Sequence, residues 1–231
     1  VYKRQFPQRE FKTPEEFRKL KAAVAMTEVG MSEAIQALRR SRIDKNGRLV
    51  YRNSKLTSQK LQGIIGSAIF VAGGIANNTI VACGNQGVDP HERGYGPLKA
   101  HQPIIIDIFP RAEKTGYHGD ITRTVVRGRA SDAVKEMYAS VLKAQKVCMA
   151  KIRAGGLLAL AHQAVADHFV NDGFETGRRN GHMEGFFHST GHGIGLEVHE
   201  APSIGQGSKA KFRPDQVVTV EPGLYLSLIH I

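Results

Sequence analysis

The stretch "QPIIIDIFPRAEKTGYHGDITRTVVRG", residues 102–128, decides the fold of this chain. Its two ends are rich in β-branched residues and predict two strands. Asp107 interrupts a run of isoleucines that we expect to be buried on both faces, where a lone carboxylate is costly unless a cation or donors compensate. Alternation puts Asp120, Thr122 and Thr124 on one face of the second strand. If the strands form a hairpin, Asp107 and Asp120 point into one cleft.

Further metal-binding and proton-transfer groups cluster later in the chain. "HSTGHGIGLEVHEAPSIG", which starts at His188, crowds His188, His192 and His199 among glycines, and Glu221 closes the strand-like "VVTVEPG". Glycine lets backbone approach a ligand closely, and histidine binds metals and moves protons near neutral pH. Two aspartates, a glutamate and a histidine suit manganese, cobalt, iron or zinc. Because carboxylates can bridge, a pair of metals about 3.5–4 Å apart is a reasonable expectation.

Competing motifs fail on inspection. "HEAPS" lacks the second histidine of HExxH, and "GHGIGL" lacks the third glycine of a dinucleotide-binding loop. Neither a P-loop nor a GxSxG nucleophile elbow occurs. Each residue taken singly also fits a structural role: a strand aspartate can be a salt-bridged turn residue, and we interpret His162 and His168 as structural.

Composition indicates a globular protein, since 41% of the 231 residues are apolar and 23% are charged. The longest apolar run, residues 64–76, is too short for a bilayer, and the N-terminal residues lack the apolar region typical of a signal peptide. We therefore expect a cytoplasmic protein that does not enter membranes, in which Cys83 and Cys148 are inert thiols. The formal charge of +11 is scattered and lacks interleaved aromatics, which argues against nucleic-acid binding.

Local signals predict helices between the strand candidates, which gives an α+β fold. The first helix begins after Thr13 as N-cap, with a break near Gly30. The second is capped by Thr57 or Ser58 and ends at two glycines. Two amphipathic helices follow, separated by another glycine pair.

Both ends of the chain resemble sequencing-adapter sequence. GTG TAT AAG AGA CAG encodes Val1 to Gln5, and its reverse complement encodes Leu226 to His230. We therefore expect residues 1–5 and 226–231 to be non-native and residues 6–225 to form one catalytic domain that continues beyond Tyr225 in the natural protein.

Three blocks together resemble the pita-bread metallopeptidase superfamily, which includes methionine aminopeptidase, Xaa-Pro aminopeptidase, prolidase and creatinase. They are "DIFPRAEKTGYHGDITRT", "HSTGHGIGLEVHEAP" and "TVEPGLY", within residues 12–225. "EPGLY" resembles the Xaa-Pro branch more than methionine aminopeptidase, and creatinase lacks these ligands. The resemblance implies a curved antiparallel sheet with helices on its outer face and a metal site in a central cleft.

The resemblance also implies roles for single residues. Asp107 would ligate one metal, Asp120 would bridge both, and His192 and Glu221 would ligate the other. Three histidines would serve substrate and transition state: His199 at the scissile carbonyl, His188 in the pocket wall, and His91 ahead of the first aspartate. Two divalent metals are implied, with manganese favoured over cobalt, iron or zinc.

The implied reaction is hydrolysis of the bond between an N-terminal residue and proline, so the partners are peptides with proline second. Alternatives are Xaa-Pro dipeptidase, methionine aminopeptidase, and a non-catalytic binding module of the same fold; a homo-oligomer is compatible with all of them. In the family a second bridging glutamate follows the "EPGLY" strand, and a creatinase-like domain precedes the catalytic one, with Phe6 to Lys12 resembling its linker. We therefore expect the chain as it stands to bind metal weakly and to be nearly inactive.

Overall fold

The computed structural model describes residues 6–179 and 181–227. Of the expected adapter-derived ends, residues 1–5 and 228–231 lie outside this range. The described α-helices are α1 (Pro14–Arg40), α2 (Ser58–Val71), α3 (Asp132–Lys151) and α4 (Leu158–Asn171), and 3-10 helices span Pro7–Glu10 and Gly84–Val88. In the described part of the chain, no helix combines the length and apolar character needed to cross a membrane.

The described strands are short and pair antiparallel throughout, which confirms the α+β class. The ladders are β1-β2-β3, β5-β6-β8, β4-β7, β9-β10 and β11-β12. Their bounds are β1 (Arg42–Ile43), β2 (Leu49–Tyr51), β3 (Ser54–Lys55), β4 (Gly74–Ile75), β5 (Ile80–Cys83), β6 (Pro103–Ile108), β7 (Arg111–Ala112), β8 (Ile121–Val126), β9 (Gly177–Arg179), β10 (His182–Glu184), β11 (Gly191–Gly193) and β12 (Glu200–Ile204).

The chain divides into two compact units. The central unit is Arg18–Val134, and the terminal unit comprises the described residues of Val1–Phe17 and Lys135–Ile231. A single catalytic domain over residues 6–225 stays a prediction.

Helix α1 begins where the sequence predicts. Thr13 Oγ1 accepts a hydrogen bond from the Glu16 amide at 3.2 Å, and the Glu16 carboxylate accepts one from the Thr13 amide at 2.8 Å. This reciprocal capping box satisfies two amide groups at the helix start. The predicted break near Gly30 is wrong, since α1 is continuous there. A Cβ at Gly30 would lie 2.8 Å from Ile69, so this glycine serves close packing against α2.

The core of the central unit forms around one face of β6. Ile104, Ile106 and Ile108 are fully buried, whereas the alternate residues of the strand are only partly buried. The expectation that β6 is buried on both faces is therefore wrong. Asp107 lies on the half-buried face, which lowers the cost of placing a carboxylate there.

The terminal unit has its own core, which α3, α4 and β12 share. Its buried members are Ala144, Cys148, Leu158, Ala161, Val165, Phe169, Phe186, Ile204, Phe212 and Leu224. The segment around "VVTVEPG" adds single bridges to this unit rather than the strand we predicted, and Val218 pairs with Gly193 in one of them. The core thus supports β11 and the segment beside it.

Candidate metal centre

The β6-β8 pair presents the two aspartates of the central unit. The strands are antiparallel with Asp107 opposite Thr122, as the hairpin hypothesis requires. Thr122 Oγ1 donates a hydrogen bond to Asp107 Oδ1 at 2.8 Å. Asp120 directly precedes β8, two positions before Thr122, so alternation along the strand puts it on the same face as Asp107's partner. Both carboxylates therefore belong to one face of this ladder.

Gly119 fixes the backbone immediately before Asp120. A Cβ at this position would lie 2.1 Å from Thr27 Oγ1 and 2.5 Å from the Ala23 carbonyl oxygen of α1. The Gly119 amide also donates to the Pro110 carbonyl at 3.0 Å. Only glycine allows helix and strand to approach this closely. The position of Asp120 is consequently tied to α1.

His192 and Glu221 come together in the terminal unit. His192 Nε2 lies 2.9 Å from Glu221 Oε1, and the exposed fractions of the two side chains are 11% and 31%. The Thr219 amide donates to the His192 carbonyl at 2.8 Å, and the Glu221 amide donates to the Thr190 carbonyl at 2.8 Å. These bonds hold the segment that carries Glu221 alongside β11.

The imidazole of His192 is oriented as a metal ligand requires. Its Nδ1 lies 3.0 Å from the Gly193 carbonyl oxygen, so the tautomer protonated at Nδ1 donates there and leaves the Nε2 lone pair facing Glu221. Ligand atoms at bonds of about 2.1 Å are about 3.0 Å apart along the edge of an octahedron. The separation of Nε2 and Oε1 therefore fits two ligands of one divalent ion.

The other two histidines of this stretch have different surroundings. His199 is exposed just before β12, with its ring centroid 4.3 Å from that of His192 at an interplanar angle of 80°. His188 is half-buried and lies against aromatic rings, with centroids 5.4 Å from Phe186 and 5.3 Å from Tyr225. His199 is thus an exposed residue whose ring contacts that of His192, and His188 belongs to an aromatic wall.

His91 belongs to the central unit, on the turn that follows the 3-10 helix Gly84–Val88. Its side chain is exposed, and its amide donates to Asp89 Oδ1 at 2.8 Å. This bond fixes the turn but leaves the ring accessible. Its substrate-positioning role stays a prediction.

Two helix side chains support β11 and the segment beside it; from the sequence we interpreted His162 as structural without naming its partner and did not single out Gln145. His162 Nδ1 lies 2.9 Å from Thr190 Oγ1, and burial, with a smaller effect of His188, lowers the pKa of His162. Gln145 Nε2 donates to the Val220 carbonyl at 3.0 Å. Both side chains project from helices that we interpreted only as packing elements. Their role depends on tertiary contacts, and no local spacing in the sequence signals it.

Comparisons with known proteins identify the family. The model of metallopeptidase family M24 matches residues 18–230. The chain is 43% identical over 147 residues to the uncharacterized peptidase YqhT of Bacillus subtilis, covering 64% of this chain and 39% of that protein. It is 34% identical over 155 residues to an Xaa-Pro dipeptidase of Pyrococcus horikoshii, covering 67% of this chain and 41% of that one. The chain therefore spans about two fifths of these curated relatives.

Solved structures agree with this result. The X-Pro aminopeptidase of Thermotoga maritima superposes with a TM-score of 0.80 at 29% identity, covering 96% of this chain and 57% of that chain. The prolidase of Pyrococcus furiosus gives a TM-score of 0.80 at 25% identity, covering 95% and 59%. The pita-bread class is thereby confirmed, and the chain belongs to metallopeptidase family M24.

Proposed function

We propose that this chain is the metal-binding part of an Xaa-Pro aminopeptidase, in which two divalent ions are held by Asp107, Asp120, His192 and Glu221. The observation that carries the proposal is the geometry of His192 and Glu221, whose ligand atoms lie 2.9 Å apart with the ring oriented through Nδ1. The pairing of β6 with β8 supports the aspartates as the second half of the ligand set. Family membership supports joining the two halves into one centre.

Manganese is the ion we expect first. Three carboxylates and one imidazole form a hard, oxygen-rich set that suits manganese, while cobalt, iron and zinc remain alternatives. Such ions, when bound, acidify water and polarise a carbonyl group. Binding of such an ion would also explain why Asp107 and Glu221 lie in otherwise apolar stretches of the sequence.

The chain's own residues would then bind and orient the peptide. The exposed imidazole of His199, 4.3 Å from the ring of His192, can donate a hydrogen bond to the scissile carbonyl oxygen as negative charge develops on it. His188 and Tyr225, with ring centroids 5.3 Å apart, form an apolar wall that suits the pyrrolidine ring of proline. His91 would position the peptide from the central unit.

The first test uses the protein extended to its natural C terminus. It is incubated with manganese, then with chelator, and the products from an Xaa-Pro-Xaa tripeptide are followed by mass. We expect manganese-dependent release of the first residue. An Xaa-Pro dipeptide is tested in parallel. A metal-loaded protein that cleaves neither the tripeptide nor this dipeptide would contradict the proposal and favour a non-catalytic binding module.

Xaa-Pro dipeptidase is the second candidate, because relatives from several organisms carry that name. The same experiment separates the two, since a dipeptidase cleaves the Xaa-Pro dipeptide and leaves the tripeptide. Cleavage of a Met-Ala peptide in preference to both would indicate a methionine aminopeptidase.

The ligand set is tested by calorimetric titration with manganese. Asp107→Asn, Asp120→Asn, His192→Ala and Glu221→Gln should each weaken binding by at least about tenfold, because each removes a charged or nitrogen ligand. Glu136→Gln, on the exposed face of α3, is the matched control and should bind as the unmodified protein does. A ligand variant that titrates like the control removes that residue from the set.

Other expectations extend this proposal without altering it. We expect a cytoplasmic protein that acts on peptides with proline second. A homo-oligomer is compatible with the proposal, and gel filtration with light scattering measures it directly.

A further inference from the structure

The N-terminal segment contacts a carboxylate beside His199, about 190 residues later in the chain. Arg9 Nε donates to Glu200 Oε1 at 3.1 Å, and Arg9 Nη2 contacts the same oxygen. Lys12 Nζ donates to Glu200 Oε2 at 3.1 Å and to the Arg9 carbonyl at 2.6 Å. Both carboxylate oxygens of Glu200 are therefore bound by cations from one short segment of the terminal unit.

This cluster is buried, unlike an ordinary surface ion pair. Only 3% of the Lys12 side chain and 6% of the Glu200 side chain are exposed. Burial tends to raise the pKa of Glu200, but the hydrogen bonds from Lys12 and Arg9 outweigh it and lower the pKa. Removing one member leaves the other charge buried without its partner, which proteins tolerate poorly.

Glu200 in turn organises the loop that carries His199. The Glu197 amide donates to Glu200 Oε1 at 3.1 Å. A Cβ at Gly195 would lie 2.6 Å from Glu200 Oε2, so the loop backbone passes directly over the carboxylate. The Gly195 amide donates to the Glu197 carbonyl at 3.1 Å. Residues 195–199 thus wrap around the side chain that Arg9 and Lys12 hold.

The same N-terminal segment also contacts the chain leading to Glu221. The Lys12 amide donates to the Asp215 carbonyl at 2.8 Å, and the Arg213 guanidinium lies 4.5 Å from the ring centroid of Phe11. The segment therefore contacts the Glu200 side chain, which follows His192 in the chain, and the Asp215 backbone, which precedes Glu221.

We propose that Arg9 and Lys12 are positioning residues, which fix Glu200 and so set where the loop 195–199 presents the His199 imidazole. The inference rests on the proposed function only for the role of His199 in the reaction. The segment that carries Arg9 and Lys12, before α1, would thus help to shape the site, although it is not part of the ligand motifs of the family.

The first experiment measures hydrogen–deuterium exchange at residues 195–199. Lys12→Met and Glu200→Gln should raise exchange in this loop by about tenfold while leaving α4 unchanged, because the opening is local. Lys12→Arg keeps the charge and should restore protection toward the starting value. Glu175→Gln is the matched control, since it breaks an exposed pair with Arg179 at 3.7 Å in the same unit.

The second readout is turnover by the protein in its natural length. Lys12→Met should lower kcat by about tenfold with little change in KM, because His199 acts as charge develops rather than in binding. Lys12→Arg should recover most of kcat. Loss of folded protein alone would also lower the apparent kcat and leave KM unchanged, so kcat is calculated per folded protein, whose fraction is measured by circular dichroism. A kcat per folded protein equal to that of the unmodified protein would contradict the positioning role.

The outcomes separate this inference from the proposed function. Unchanged loop exchange in Lys12→Met and Glu200→Gln, or an equal rise in α4, would overturn the inference. A loosened loop together with a His199→Ala variant of full activity would support the positioning by Arg9 and Lys12 and contradict the catalytic role of His199.

Discussion

Gly191→Ala is the substitution that most directly tests how β11 holds the candidate ligands. Gly191 is buried, and a Cβ there would lie 2.0 Å from the Thr219 carbonyl oxygen. Real Cβ atoms essentially never approach another heavy atom closer than 3.0 Å. The two backbone segments must therefore separate by about 1 Å, because neither clashing atom belongs to a flexible side chain.

The structure sets the size of the effect. The two shorter of the three hydrogen bonds between His192 and Thr219 are one from the Thr219 amide to the His192 carbonyl at 2.8 Å and one from the His192 amide to Thr219 Oγ1 at 3.0 Å. A separation of about 1 Å breaks both, and at about 1 kcal/mol each, with strain added, the free energy of unfolding should fall by about 2–4 kcal/mol. Glu221, two residues beyond Thr219, moves with the displaced segment. Manganese affinity should then fall about 10- to 100-fold, as when the support of a ligand is lost.

Urea unfolding followed by circular dichroism and calorimetric manganese titration measure the two effects. Gly207→Ala is the matched control, because Gly207 is exposed in the same unit and nothing lies within 4 Å of its added Cβ. The control should match the unmodified protein in both measurements. Suppose that Gly191→Ala keeps the original manganese affinity and that its free energy of unfolding lies within about 0.5 kcal/mol of that of the unmodified protein. The close approach of Gly191 to Thr219 would then not be what holds the ligand pair.

Three further predictions concern stability. Thr13→Ala removes the side-chain half of the α1 capping box and should lower the free energy of unfolding by about 1 kcal/mol in urea titrations. The pKa of Glu200 is lowered, so the ionised carboxylate contributes to the free energy of unfolding above its ordinary value of 4.5, and this contribution is lost as pH falls through the lowered pKa. Glu200→Gln should therefore reduce the fall in stability on the acid side of a stability–pH curve. Burial raises the pKa of Cys148 from 9.0 to about 11, so stability should fall between these values because only the unfolded thiol ionises, and Cys148→Ala should abolish that decline.

Local signals predicted most of the elements because their causes are local. Thr13 and Thr57 cap helices through their own hydroxyl groups, and the hydroxyl of Thr57 accepts from the Lys60 amide at 3.2 Å. The period of two places Asp120 on the same face as Thr122, and the structure contains the antiparallel pairing of β6 with β8 that the hairpin hypothesis requires. The break predicted at Gly30 is wrong because a glycine within a helix can either interrupt the helix or allow a neighbouring element to pack closely against it. The contact with Ile69 shows that Gly30 does the second, and this contact is not visible in the local sequence.

The support around the site depends on distant residues, so the sequence alone could not predict it. Lys12 and Glu200 are 188 positions apart in the sequence. Nothing in the local sequence around Lys12 distinguishes it from the other lysines that lie near the start of α1. Glu221 was expected to end a strand, but its segment forms single bridges and depends on Thr190 and Thr219 for its hydrogen bonds. These contacts are set by folding of the whole terminal unit, not by local propensity.

The three histidines of the glycine-rich stretch have different environments for a physical reason. His192 is held by its own strand, because the Gly193 carbonyl fixes Nδ1 and leaves Nε2 toward Glu221. The exposed His199 depends on Glu200 for the course of its loop. His188 lies among aromatic rings. Under the proposed function, one residue type would bind a metal, assist a reaction and line a pocket within a dozen positions. The glycines between the imidazoles allow this crowding, because Gly191 and Gly193 lie close to the Thr219 and Ala201 backbones and Gly195 lies close to the Glu200 carboxylate.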